Sequence, residues 1–252
     1  MTLQRWVFDL GNTRLKMAPL DADGRVGEPQ ALTHGGAGFD ALADHLPARF
    51  DVAYVASVAD ESLRVALLEA LTSRCRRIAI ARSQRRWGDL RIAYAEPARL
   101  GVDRVLSMLA ARADSARNDV GAPVLICGVG TALTLDLIDD DGRHLGGRIA
   151  PSPTLMRQAL HRQIGQLPAQ GGDYIEFAED TSDALASGCL GAALGLIGRS
   201  LAEAEARLGL TPVLYLHGGG GPELLVSLPQ ARWSPRLVLD GLAQWALSET
   251  GR

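Results

Sequence analysis

One pattern occurs twice in this chain, and it constrains the fold more than any other feature. In the first copy an apolar run reaches Asp9, turns through Gly-Asn-Thr and continues as a second apolar run. In the second copy an apolar run reaches Gly128, turns through Gly-Thr and continues toward Asp136. An aspartate-rich turn that contains glycine follows each copy, at 21–24 and 139–142. A hairpin and turn that repeat at the start of each half predict two duplicated domains.

The polar turn at 118–122 is the predicted boundary, and it divides the chain into domains 1–118 and 119–252. Apolar strand-like runs alternate with amphipathic helical patterns in both parts, which is typical of an α/β protein. Within the first domain the spacing of apolar residues predicts a helix over 39–50, after a glycine-rich break at 35–38.

Composition excludes several classes of partner. Hydrophobic residues at 47% and charged residues at 22% are ordinary for a soluble globular protein, and a net charge of −3 gives no reason to expect nucleic acid or an anionic membrane. The arginine-rich segment 74–91 is interpreted as a strand flanked by solvated side chains. The three separated cysteines predict reduced, mostly buried thiols in a cytoplasmic protein. Neither a signal peptide nor an apolar run of transmembrane length is recognised.

The first turn combines groups that suit a nucleotide. Its backbone N–H groups at Gly11 and Asn12 can face an anion, together with the hydroxyl of Thr13. Asp9 can hold a divalent metal, and Lys16 adds a compact positive charge of the kind that suits phosphate. Lys16 is also the only lysine in the chain. The alternatives are an ordinary surface hairpin and an arginine-rich composition that spared one lysine by chance.

A second candidate site is the sequence Gly-Val-Asp-Arg at 101–104, just before a strongly amphipathic helix. Asp103 is either a first-turn acid favoured by the helix dipole or a carboxylate held ready to accept a proton. Arg104 can grip a substrate carboxylate. Later in the chain, a strand ends at His217 before four glycines, which allow a backbone to approach a ligand closely. The histidine itself is interpreted as a strand-end polar residue rather than a catalyst.

Together these motifs resemble the type III pantothenate kinases, also called Bvg accessory factor homologues, of the acetate kinase, sugar kinase, heat-shock protein and actin superfamily. The resemblance covers nearly the whole chain, and it depends on the order and spacing of several short motifs. These are Asp9-Leu10-Gly11-Asn12-Thr13 with Lys16, Tyr94 with Gly101-Val102-Asp103-Arg104, Gly130-Thr131-Ala132 with Thr134 and Asp136, Gly146-Gly147 with Ile149-Ala150-Pro151, and Thr181 with Ser187-Gly188.

The resemblance implies an α/β fold of two duplicated actin-like, ribonuclease H-like domains with a cleft between them. It implies a transferase that uses ATP and Mg²⁺ to phosphorylate pantothenate to 4'-phosphopantothenate, the first step of coenzyme A biosynthesis. It further implies a cytoplasmic homodimer that requires potassium or ammonium, and the small residues of 188–195 are a candidate interface.

The resemblance also implies the site residues, with Asp103 as the general base. The implied ATP and phosphate ligands are Asp9 (which also holds Mg²⁺ through ATP), Gly11, Asn12, Thr13, Lys16 and Thr131. The implied pantothenate ligands are Tyr94, Gly101, Val102, Asp103, Arg104 and Thr181.

One departure from the family concerns the cation. Gly128 stands where the family usually has an aspartate that serves the monovalent cation, so we expect weaker potassium stimulation than is usual. The alternative function is a non-catalytic relative that binds a ligand or acts as an accessory factor in transcription. A kinase or hydrolase of the same fold that acts on a different small alcohol is a third hypothesis, which Tyr94 and the Gly-Val-Asp-Arg sequence disfavour.

Overall fold

The computed structural model describes residues 3–34, 39–118 and 121–250. The predicted glycine-rich break at 35–38 and residues 119–120 of the predicted boundary lie outside the described residues. By their internal contacts the residues group into two compact units, Met1–Asp114 with Arg236–Arg252, and Ser115–Pro235. The C-terminal segment therefore groups with the first unit, whereas the sequence prediction placed it in the second domain. The division into domains 1–118 and 119–252 stays a prediction.

Twelve strands and six helices have assigned bounds among the described residues. The strands are β1 Arg5–Leu10, β2 Arg14–Leu20, β3 Gln30–Thr33, β4 Phe50–Ser57, β5 Cys75–Ile80, β6 Arg86–Trp87, β7 Leu90–Arg91, β8 Val124–Val129, β9 Ala132–Ile138, β10 His144–Pro151, β11 Val213–His217 and β12 Arg232–Trp233. The helices are α1 Glu61–Thr72, α2 Val102–Asn118, α3 Pro153–Gln163, α4 Thr181–Leu208, α5 Gly221–Leu225 and α6 Leu237–Thr250.

The two units contain sheets of the same topology. The first sheet has the order β3-β2-β1-β4-β5, and the second has the order β10-β9-β8-β11-β12. In each sheet the first three strands of the unit are antiparallel neighbours, and the other two run parallel to the central strand. Because strand order and direction repeat, the duplication that the sequence predicts is present in the backbone.

The core of the first unit lies between its sheet and α1. Leu63, Leu67 and Leu71 recur at helical spacing along α1, and they pack with buried sheet residues such as Phe8 and Leu10. The side chain of Asp60 accepts a hydrogen bond from the N–H of Leu63, at 2.9 Å, and so caps the helix.

One predicted helix of the first unit is wrong. Residues 39–50 do not form an α-helix; they contain a short 3-10 segment, Asp40–Asp44, after which the chain enters β4. Pro47 explains the early end, because proline has no N–H to donate and disfavours helical geometry at the residue before it. The apolar spacing still has a use, since Leu42 and Leu46 are buried in the core.

The core of the second unit lies between its sheet and the long helix α4. Asp180 caps this helix, since its side chain accepts hydrogen bonds from the N–H groups of Ser182 and Asp183. Gly209 ends the helix in the left-handed conformation, with φ of 69°. By length and composition α4 is also apolar enough to cross a membrane, a test that the core helix of a globular protein passes as well. Its residues Leu190 and Ile197 are buried in the core of the unit.

The cysteines agree with the prediction of reduced thiols. None of the three forms a disulfide; Cys127 and Cys189 are buried, and Cys75 is partly buried. Burial raises the pKa of the Cys127 thiol to about 12, so this side chain is protonated at neutral pH.

Candidate functional site

The turn between β1 and β2 places an acid directly opposite a base. Asp9 and Lys16 are register partners on the two antiparallel strands. The N–H of Gly11 donates to the carbonyl of Arg14 at 3.0 Å and closes the turn. A ring nitrogen of His34 lies 3.0 Å from the carbonyl oxygen of Gly11, which holds the turn from the side. The predicted hairpin and its aspartate–lysine pair are therefore present.

The surroundings of the Asp9 carboxyl group disfavour its charged form. Burial raises its pKa to about 7, and the negative charge of Asp103 raises it as well, while Lys16 lowers it. Asp103 is thus close enough to Asp9 for the two charges to interact. A carboxyl group with this pKa, beside another acid, is a frequent mark of a functional site.

The Gly-Val-Asp-Arg sequence forms the N-terminus of α2. Asp103 lies in the first turn, where the helix dipole favours its ionised form. Its Oδ1 accepts a hydrogen bond from the N–H of Arg104 at 2.8 Å. A Cβ added at Gly101 would lie 2.5 Å from this same oxygen, so the glycine makes room for the carboxylate. This physical constraint links Gly101 to Asp103.

Arg104 is directed inward and meets a tyrosine. Its side chain is buried, and Nη1 lies 3.5 Å from the hydroxyl of Tyr94, which is partly exposed. The main chain of Arg104 is fixed by its N–H, which bonds to the carbonyl of Gly101, and by its carbonyl, which accepts from Ser107. The planar guanidinium group presents several N–H donors that match the geometry of a planar carboxylate.

The second turn, between β8 and β9, lacks the acid–base pair. Gly128 is the register partner of Thr134, and the N–H of Gly130 donates to the carbonyl of Ala132 at 2.9 Å. Thr131 is exposed at the tip, where its side chain is accessible. The acid of this strand pair is Asp136, which is buried and lies 3.1 Å from Nε2 of His144.

The predicted site residues fall into separate groups. In the first unit the structure brings Asp9 and Lys16 together with Asp103, and it brings Arg104 to Tyr94. In the second unit Thr131 lies in the β8–β9 turn, whereas Thr181 is the first residue of α4. Val102 begins α2 and is buried.

The structure pairs His217 with Gly128, a relation that the sequence analysis did not identify. His217 ends β11 and is the register partner of Gly128 on the neighbouring parallel strand. The sequence interpretation as a strand-end polar residue used only its position in the chain. A signal was available, since both His217 and Gly128 end apolar runs that precede glycine-rich turns, but strand pairing was needed to connect them.

Asp9 fits a divalent metal. Among the residues that the structure describes, no group of three His, Cys, Asp or Glu side chains could form a complete metal site. Mg²⁺ commonly uses one or two carboxylates together with substrate phosphates and waters, so a single aspartate is sufficient. A cation would also offset the charge repulsion and the desolvation that raise the pKa of Asp9.

Comparison with known proteins decides the family. The sequence profile of the type III pantothenate kinases matches residues 6–203. This chain belongs to the type III pantothenate kinase family. A curated relative of that name from Stenotrophomonas maltophilia is 52% identical over 244 residues, which is 97% of this chain and 98% of the relative. The chain is accordingly an ATP-dependent kinase that phosphorylates pantothenate in coenzyme A biosynthesis.

Solved structures support the two-domain actin-like fold. A Campylobacter jejuni protein assigned to the Baf family of transcriptional activators has a TM-score of 0.64 at 17% identity, covering 98% of this chain and all of that one. A Sinorhizobium meliloti protein assigned as a 2-dehydro-3-deoxygalactonokinase has a TM-score of 0.59 at 17% identity, covering 97% of this chain and 99% of its own. At this identity the likeness concerns the fold alone.

Proposed function

We propose that Asp103 is the general base of pantothenate phosphorylation. It takes the proton from the primary hydroxyl as that oxygen attacks the γ-phosphorus of ATP. The helix N-terminus and the N–H of Arg104 both favour the ionised carboxylate that this role requires. Gly101 keeps the space beside the carboxylate open, since a Cβ there would press on Oδ1.

Arg104 and Tyr94 bind the carboxylate of pantothenate in this proposal. Arg104 is buried, and the tyrosine hydroxyl lies beside its guanidinium group. A planar carboxylate suits the donor geometry of arginine. Val102 and Thr181 complete the predicted substrate contacts. Orientation of the hydroxyl by such contacts is a main source of rate in phosphoryl transfer, since the protein has little covalent chemistry to perform.

The first turn binds ATP and its metal in the same proposal. Asp9 holds Mg²⁺, Lys16 contacts phosphate, and the N–H of Asn12 and the hydroxyl of Thr13 supply further donors. The N–H of Gly11 closes the turn, so this glycine serves by letting the backbone approach the phosphates closely. Thr131 supplies a hydroxyl from the second unit. When bound, Mg²⁺ neutralises charge on the phosphates during transfer. The exposed Thr131 and the facing pair of Asp9 and Lys16 support these assignments.

The protein acts as a cytoplasmic homodimer in this proposal. An open groove of about 700 Å³ lies between α3 and α4, lined chiefly by apolar side chains that include Leu155, Met156 and Leu185. In the same unit, Ile149 and Phe177 are exposed at 65% and 94%. Large exposed apolar side chains of this kind mark interaction surfaces. The groove includes Gly188, from the segment that the sequence marks as a candidate interface. Reduced cysteines support the cytoplasmic location.

The observation that carries this proposal is the electrostatic interaction of Asp103 with Asp9, which adds to the effect of burial in raising the pKa of Asp9. Pantothenate-dependent ADP release with Mg²⁺ tests it. We expect Asp103→Asn to abolish measurable turnover while its circular dichroism spectrum and melting temperature stay close to those of the parent protein. Exposed Asp44 provides the matched control, and Asp44→Asn should retain full activity.

Two results would contradict the assignment. Turnover by Asp103→Asn close to the parent rate would remove Asp103 as the base. Absence of pantothenate-dependent ADP release from the parent protein, whatever monovalent cation is supplied, would contradict the proposed site as a whole.

A further inference from the structure

A histidine ring fills the space that a side chain at position 128 would occupy. Gly128 on β8 pairs with Thr134 on one side and with His217 on the other. A Cβ added at Gly128 would lie 2.9 Å from Nε2 of His217 and 2.7 Å from Oγ1 of Thr134. These three positions therefore share one face of the sheet, and the histidine and the glycine are sterically dependent on each other.

The turns that follow β8 and β11 are joined by a hydrogen bond. The N–H of Gly220 donates to the carbonyl of Val129 at 3.0 Å. Gly218 has a φ of 95°, and a Cβ there would lie 2.4 Å from the same carbonyl oxygen. His217 is thus held at the carboxyl end of β11, beside the carboxyl end of β8. Carboxyl ends of parallel strands are where ligands bind in open α/β sheets.

The residues at this place do not fit a monovalent cation held by an aspartate. Gly128 offers no carboxylate, and the imidazole of His217 takes up the volume where one would stand. Ring nitrogens that carry a proton are hydrogen-bond donors, which is the opposite of what a potassium ion requires from its ligands. The implied cation and the residues present therefore disagree.

We propose that His217 replaces the monovalent cation as the phosphate-facing group of the β8–β9 turn, so that catalysis proceeds without potassium or ammonium. This inference rests on the proposed function, because it assigns a further residue to the nucleotide site. His217 is partly exposed, so its ring can reach a ligand. A donating imidazole N–H supplies to a phosphate oxygen the stabilisation that a bound cation would otherwise provide.

The experiment compares ADP release in potassium, ammonium and choline chloride at equal ionic strength. We expect the parent protein to respond less than about twofold to potassium, and His217→Ala to lose at least about tenfold in turnover without rescue by potassium. The double variant Gly128→Asp with His217→Thr removes the ring and introduces the carboxylate. It should gain a saturable response to potassium that the parent lacks.

Nucleotide affinity supplies a readout that does not depend on turnover. Calorimetric titration with Mg²⁺ and a non-hydrolysable ATP analogue should give a dissociation constant that is insensitive to potassium in the parent and sensitive in the double variant. His45, which bonds to Gln30 in the first unit, provides a control, and His45→Gln should leave both measurements unchanged.

Either of two outcomes would overturn the inference. One is a steep, saturable potassium requirement of the parent, in turnover or in nucleotide affinity. The other is parent-like behaviour of His217→Ala in both measurements. If the parent protein is active but requires potassium, the role of His217 is overturned and the proposed function still holds. If the parent fails to turn over pantothenate under every condition, the proposed site fails instead, and the nucleotide titration still decides the role of His217.

Discussion

The β1–β2 and β8–β9 turns occupy the same place in two sheets of the same topology, yet they carry opposite chemistry. In the first, the central strand contributes Asp9, whose register partners are Lys16 and Ala56. In the second, the central strand contributes Gly128, and the partner on the parallel strand is His217. The acid of the first turn is absent from the second, where a nitrogen base stands on the neighbouring strand.

Volume explains how the two arrangements are built. In the first turn the small side chain of Ala56 leaves room beside Asp9. In the second turn a Cβ at Gly128 would crowd both Oγ1 of Thr134 and Nε2 of His217, so these two side chains together favour a glycine. The central strand thus carries the acid of the first turn, whereas the neighbouring parallel strand carries the imidazole beside the second turn.

The largest effect should come from removing the acid of the first turn. Asp9→Asn keeps the size of the side chain but removes the charge that we assign to Mg²⁺. We expect turnover to fall by about 1000-fold, since electrostatic stabilisation dominates phosphoryl transfer. Steady-state ADP release, measured with saturating pantothenate and varied Mg²⁺, checks this expectation.

Asp23 supplies the matched control for that variant. It is an exposed acid in the turn that follows β2, so Asp23→Asn changes the net charge equally. We expect no loss of turnover from it. Equal turnover of Asp9→Asn and Asp23→Asn would contradict the specific role of Asp9 in the first turn.

The second turn should be sensitive to backbone change rather than to loss of charge. Gly218→Ala places a methyl group against the carbonyl of Val129 at a φ of 95°, which is unfavourable for alanine. We expect a loss of about 2 kcal/mol in the free energy of unfolding, together with lower turnover as His217 shifts. Urea unfolding provides the measurement.

Replacement of Gly198 by alanine should raise the free energy of unfolding, in contrast to Gly218→Ala. It lies within α4, where an added Cβ would meet no atom within 4 Å. We expect Gly198→Ala to stabilise the protein by about 0.5 kcal/mol, because glycine is unfavourable in a helix interior. An unaffected Gly218→Ala would contradict the close contact described between Gly218 and Val129, and a destabilised Gly198→Ala would contradict the open space described beside α4.

A smaller effect should follow from changing the type of positive charge in the first turn. Lys16→Arg retains the charge opposite Asp9 but substitutes a larger planar group for a compact ammonium. We expect the KM for ATP to rise by about tenfold with a smaller change in kcat. The exposed neighbour Arg14 allows the reverse control, Arg14→Lys, which should leave the KM unchanged. Equal values for both variants would support the chance explanation of the single lysine.

Much of this arrangement could be predicted from the sequence because it depends on local patterns. The hairpin around Asp9, the turn at 21–24 and the repeat at Gly128 follow from alternating apolar residues and glycine turns, and the structure confirms the duplicated sheets. The helix predicted over 39–50 failed because apolar spacing alone did not account for Pro47. The relation of His217 to Gly128 was missed because it depends on the pairing of two strands that lie far apart in the sequence.

One further effect concerns how the stability of the protein depends on pH. The pKa of Asp9 is about 7 in the folded protein, against an ordinary value of 3.8. Between these pH values the folded state therefore retains a proton that the unfolded chain has lost. Stability from this group is therefore present at low pH and is lost as pH rises toward 7. Asp9→Asn stays neutral, so it should be more stable than the parent at about pH 8, by on the order of 1 kcal/mol after allowance for partial exposure, and equal to it near about pH 4. Urea unfolding of both proteins without nucleotide or metal measures the difference. Parallel pH profiles of the free energy of unfolding would show that Asp9 ionises at an ordinary pH. If instead the difference between the two proteins at about pH 8 disappears when Mg²⁺ and ATP are added, the unfavourable charge of Asp9 is connected directly to metal binding.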